Sequence, residues 1–126
     1  MRTAINLASI REGALLLVLK ENVWILPGGK PLENEDAITC LTREVGEELP
    51  KASMIIGRSF GDFTGRTPHT GDTLSATVFL GHIEGDITPA AEINDAQYFT
   101  RDQLRSLPVS EITRDIIISL AEACLF

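Results

Sequence analysis

Apolar and polar positions along this chain fall into two alternating regimes, one with strand period and one with helix period. Residues 3–10 predict a first strand, and Arg11-Glu12-Gly13 a turn into a second over residues 14–19, whose unbroken apolar run implies burial on both faces. Glu21-Asn22 turns into a short strand over residues 23–26, which Pro27-Gly28-Gly29 breaks. A helix follows. Asn34 suits its N-cap, Glu35 and Asp36 its first turn, and Pro50 stops it. At roughly 100° per residue, Ile38, Leu41, Val45 and Leu49 form one stripe, while Glu44, Glu47 and Glu48 form an adjoining one. The apolar stripe is expected to dock the helix and the acidic stripe to face outward.

Beyond Pro50, two longer β-rich segments are expected at residues 53–63 and 73–83, separated by a polar loop over residues 64–72 with the composition of a mobile lip. Gly85-Asp86 marks a turn, and residues 96–99 a last short strand. Thr100 and Gln103 are spaced as a capping box for a brief helix over residues 101–106. A final helix near residues 110–125 carries Ile112, Ile116, Leu120 and Cys124 at helical spacing. Strands mixed with one central and one terminal helix imply an α/β sandwich, with a mixed central sheet between helical layers.

Length and charge narrow the function. The 126 residues, 44% hydrophobic and 23% charged, suit one domain spanning residues 1–126. Residues 1–10 lack a signal-peptide pattern, and the longest apolar run is too short to span a bilayer, so a cytoplasmic chain with no membrane partner is expected. The net charge of −7 disfavours a sequence-independent grip on a nucleic-acid polymer. Cys40 and Cys124 lie in expected helices without metal spacing and read as buried free thiols.

The chemistry concentrates between Gly29 and Glu48. Glu44, Glu47 and Glu48 repel one another on one helix, a cost that a bound cation reverses. Oxygen ligands with no His or Cys nearby suit Mg²⁺ or Mn²⁺. Arg43, four residues before Glu47, could hold that carboxylate in place. Three glutamates alone would ordinarily be a solvated helix face. Here Gly29, Glu35, Arg43, Glu44, Val45, Glu47 and Glu48 stand in the register of the Nudix box, G-x5-E-x7-R-E-U-x-E-E-x-G-U with U aliphatic, and Leu26-Pro27-Gly28-Gly29-Lys30 resembles its usual approach. Pro50 stands where that family has Gly, and Lys51 where it has an aliphatic residue. Pro50 should push Leu49 toward extended geometry and alter the helix exit.

The resemblance implies a Nudix-type α/β/α sandwich and metal-dependent hydrolysis of a small nucleotide-like diphosphate. It implies metal ligation by Glu44, Glu47, Glu48 and the Gly29 carbonyl. Glu35 would orient Arg43 or a bound water. Glu92, in the loop before the last strand, is a candidate ligand or base, with Glu44 as its competitor and Glu84 and Asp86 as lesser options. Lys30, Arg58, Arg66 and His69 could meet phosphate or sugar; Trp24, Phe60 or Tyr98 could stack on a base, although Trp24 and Phe60 are more commonly core residues. The alternative is a catalytically silent nucleotide-binding sensor, against which the intact glutamates argue. An apolar edge on the last helix, ending in Leu125-Phe126, could support a homodimer.

Overall fold

The computed structural model describes residues 2–67 and 70–126. Strand β1 (Arg2–Arg11) turns through Glu12 and Gly13, both at positive φ, into β2 (Ala14–Lys20), and β3 (Val23–Ile25) follows. Gly28–Gly29 is not a simple break but a two-residue strand, β4, antiparallel to β1 at Asn6 and Ile5. Helix α1 (Ala37–Glu48) comes next, then β5 (Ala52–Arg66), β6 (Thr73–Gly85), β7 (Ile93–Thr100), α2 (Arg101–Leu104) and α3 (Glu111–Glu122).

β1 is the hinge of a mixed sheet. It runs parallel to β6, which pairs antiparallel with β5, and it meets β2 only at the hairpin end, Ile10 to Leu15 and Arg11 to Ala14. β2 in turn pairs antiparallel with β3 and β7. Side chains alternate between two cores. Leu15 and Leu17 of β2 join α3 through Ile112, Ile116 and Leu120, whereas Leu16 and Val18 join α1 through Cys40, Leu41 and Val45. The unbroken apolar run of β2 is therefore buried on both faces, as its composition implied.

Several local expectations change. Asp36, not Asn34, caps α1: its side chain accepts from Thr39 N at 2.8 Å, while Asn34 takes φ 63 in the preceding turn. With the helix starting at Ala37, Ile38 is 47% exposed, and Cys40, Leu41, Val45 and Glu48 form the buried face. The chain leaves helical geometry at Leu49 (φ −132°, ψ 69°), consistent with Pro50 after it. β5 extends to Arg66, shortening the polar loop, and β7 begins earlier, at Ile93. The Thr100–Gln103 capping box forms with both of its hydrogen bonds. Cys40 is buried, but Cys124 is exposed beyond the end of α3. Leu125 and Phe126 pack on the chain's own α3-side core, leaving Ile118 as the large exposed apolar side chain of α3. Among the described residues no helix is long and apolar enough to cross a membrane.

Candidate active site

The site is assembled on a backbone that only glycine can form. Gly28 has φ 137°, and a Cβ there would lie 2.1 Å from the Ile5 carbonyl oxygen and 2.8 Å from Asn6 Cα. This close approach brings the Gly28 N–H to Glu48, whose Oε1 accepts it at 3.1 Å. At Gly29, an added Cβ would fall 2.3 Å from Glu44 Oε2, so the glycine makes room for that carboxylate. The Cys40 thiol donates to the Gly29 carbonyl at 3.6 Å, and burial pushes that thiol up to about 11.

Arg43 ties the cluster together. Its guanidinium pairs with Glu35 through two 2.8 Å hydrogen bonds, donates to Glu44 Oε1 at 2.7 Å and reaches the Lys30 carbonyl at 3.1 Å. Glu47 Oε1 is more distant, 3.6 Å from Nη1, and its side chain is half exposed. Arg43 thus braces Glu35 and Glu44 more closely than Glu47. Its hydrogen bonds, together with one from the Leu32 N–H, hold Glu35 down at about 2, and Arg43 itself is raised by the same pairing.

Glu48 stands apart from the expected outward stripe. It is 2% exposed, and burial pushes its carboxyl up to about 8; the nearby charges of Glu44 and Glu92 add to the shift, while the Gly28 hydrogen bond and Lys20 oppose it. One oxygen from each of Glu44, Glu48 and Glu92 lies within 4.8 Å of the others, a group able to hold a metal ion. Glu92 arrives there because Ala90 N–H donates to the Glu48 carbonyl at 2.9 Å and Ala91 turns at φ 56. Two further carboxylates beside a buried carboxyl, with only oxygen donors, form a set that a hard divalent cation would neutralise.

Glu48, Gly28, Gly29 and Lys30 border a cleft of about 350 Å³ that continues between β1 and the first turns of α3. The NUDIX domain family model matches residues 2–120. The chain belongs to the Nudix family. It is a Nudix-type pyrophosphohydrolase, and its mixed sheet with flanking helices is the Nudix α/β architecture. Among solved structures it is similar to a MutT NUDIX hydrolase from Burkholderia pseudomallei, with 25% identity over 95% of each chain and a TM-score of 0.75. A MutT protein from Methanosarcina mazei Go1 superposes with a TM-score of 0.84 at 22% identity, covering 98% of this chain and 94% of the other. An ADP-ribose pyrophosphatase from Streptococcus suis gives a TM-score of 0.72 at 19% identity, covering 97% and 91%. No curated protein sequence matches.

Relative to this Nudix cleft, the residues considered for substrate contact separate clearly. Lys30 lines it, whereas Arg58 and Arg66 do not; Arg66 donates instead to the Gly71 carbonyl at 3.2 Å. His69 lies outside the described residues. None of the three aromatic candidates borders the cleft. Trp24 packs edge-on against Phe99 at 4.8 Å, Phe60 stacks with Phe63, and Tyr98 lies under Arg11. Asp86 is occupied by Thr88. The cleft's own polar groups Asn6, Lys20 and Thr113 escaped sequence reasoning, because nothing in their local spacing distinguishes them from ordinary strand, turn and helix residues.

Proposed function

We propose that the substrate is a nucleoside diphosphate linked to a further group, nucleoside triphosphates included, and that hydrolysis depends on Mg²⁺ or Mn²⁺. The observation that carries this reading is the convergence of Glu44, Glu48 and Glu92 at one end of the cleft beside Gly28 and Gly29. Glu44, Glu47, Glu48 and the Gly29 carbonyl are the proposed metal-holding groups. When bound, the divalent cation neutralises phosphate oxygens and acidifies water. Within the chain, Arg43 fixes Glu44 through its 2.7 Å hydrogen bond and is itself anchored by Glu35, so the carboxylate is presented without a further ordering cost. Glu92 or Glu44 accepts the proton of the attacking water, and Lys30 at the cleft edge meets a phosphate oxygen.

The test is phosphate or pyrophosphate release from nucleoside triphosphates, sugar nucleotides and dinucleoside polyphosphates, with added metal and with EDTA. Turnover of at least one of these with Mg²⁺ or Mn²⁺, lost in EDTA and restored by metal, is expected. Undiminished hydrolysis by protein shown to be metal-free overturns the metal dependence.

A further inference from the structure

The chain reaches the carboxylates through a segment that cannot anchor itself by ladder hydrogen bonds. Strand β4 contributes only two residue pairs to β1, Gly29 with Ile5 and Gly28 with Asn6, and Pro27 before it has no N–H with which to extend the pairing. Residues 26 and 27 are held instead by their carbonyl groups. Pro27 accepts from the Leu7 N–H at 2.9 Å, and Asn6 Nδ2 donates to the Leu26 and Pro27 carbonyls at 3.2 and 3.4 Å. Only the N–H end of an amide can face two carbonyl oxygens, so this orientation of the side chain is fixed. The Leu26 carbonyl has no other hydrogen-bond partner among the described residues.

The grip lies directly against the glycine turn. A Cβ on Gly28 would fall 3.0 Å from Asn6 Nδ2 as well as 2.8 Å from Asn6 Cα, so the amide abuts the residue whose N–H reaches Glu48 at 3.1 Å. On the next residue, the Gly29 carbonyl is met from α1 by the Cys40 thiol. The backbone of Gly28 and Gly29 is thus gripped from α1 on one side and from β1 on the other.

We propose that Asn6 is a positioning residue for the metal-holding groups: its amide fixes the Leu26 and Pro27 carbonyls, and thereby aims the Gly28 N–H at Glu48 and sets the direction of the Gly29 carbonyl. It acts through the backbone and touches neither metal nor substrate. The assignment rests on the reading of Gly29 and Glu48 as metal-holding groups and names the side chain that sets their geometry.

Asn6→Leu and Asn6→Ala both remove the donor but differ in volume, so an effect common to the two reports the amide. Thr100→Ala, which removes the cap of α2 and does not border the cleft, is the control for lowered stability with the site intact. In metal-free protein, hydrogen exchange followed by NMR should show the Gly28 and Leu7 N–H groups losing about tenfold in protection in both Asn6 variants beyond the loss in α3, with no such excess in Thr100→Ala. Calorimetry should give a Mn²⁺ dissociation constant raised about tenfold by both Asn6 variants, as expected for a grip worth about one net hydrogen bond, and unchanged by Thr100→Ala. Turnover of a nucleotide that the parent hydrolyses should fall at limiting Mn²⁺ and recover at saturating Mn²⁺, with substrate KM unchanged. Parent-like Mn²⁺ affinity in folded but destabilised Asn6 variants makes the residue merely structural and overturns the proposal, as does a raised substrate KM that persists at saturating metal. Should neither variant fold, the parent decides: the Asn6 side-chain N–H protons should exchange about tenfold more slowly than those of the exposed Asn94, and equal rates overturn the proposal. If the parent binds neither Mn²⁺ nor Mg²⁺, the metal reading fails, while exchange at Gly28 in metal-free protein still decides whether Asn6 positions the turn.

Discussion

Glu48→Gln isolates the most unusual feature of the site, a carboxyl that the fold buries. Glutamine can still accept the Gly28 N–H and resembles the protonated acid in size, so the variant mimics Glu48 as it exists at low pH. Without metal, the folded protein holds the Glu48 proton up to about pH 8, whereas an ordinary glutamate releases it near 4.5. Between those values the folded state binds more protons than the unfolded one, so the contribution of Glu48 to stability falls as pH rises through that window. From 4.5 to pH 7 the loss accumulates at about 1.4 kcal/mol per unit, on the order of 3 kcal/mol in all. Glutamine escapes this loss. Denaturant unfolding in EDTA should therefore give near-equal stabilities at pH 4.5 and a variant more stable by about 3 kcal/mol at pH 7. Taking the difference between the two proteins cancels every other titrating group. Adding Mg²⁺ should stabilise the parent by mass action and the variant much less, and turnover should fall at least about a hundredfold. A stability difference that stays flat between pH 4.5 and pH 8 in EDTA would refute the buried-carboxylate account, and near-normal turnover by Glu48→Gln would remove Glu48 from the machinery.

Two further substitutions examine the backbone around the glutamates. Gly29→Ala places a methyl 2.3 Å from the present position of Glu44 Oε2, so Glu44 must swing away from Arg43; turnover should drop at least about tenfold, with metal affinity by titration falling in parallel. Unchanged metal affinity would show that Glu44 acts elsewhere. Pro50→Gly should shift unfolding stability by no more than about 1 kcal/mol and leave metal affinity intact, because the chain has already left the helix at Leu49; a large loss of affinity would mean that the helix exit shapes the site.

Much of this protein was legible from local pattern. The strand pattern of β1, the unbroken apolar run of β2, the helix that stops before Pro50 and the Thr100–Gln103 capping box depend on neighbours a few residues apart, and such interactions survive in any reading of the chain. The spacing from Gly29 to Glu48 likewise required only one turn and one helix. The burial of Glu48 was within reach, since seven residues separate it from Leu41 and bring it to nearly the same helix face, but its charge argued for the outside. Other features required the folded chain. Glu92 reaches Glu44 and Glu48 through a hydrogen bond from Ala90 N–H to the Glu48 carbonyl, and Asn6 is held at the cleft by donating its amide to the Leu26 and Pro27 carbonyls. Thr113 comes from the far end of the sequence. Local propensity decides which segments become strands and helices, whereas a carboxylate's burial, the anchoring of a distant amide and the shape of a cleft depend on which distant backbone groups tertiary packing brings against them.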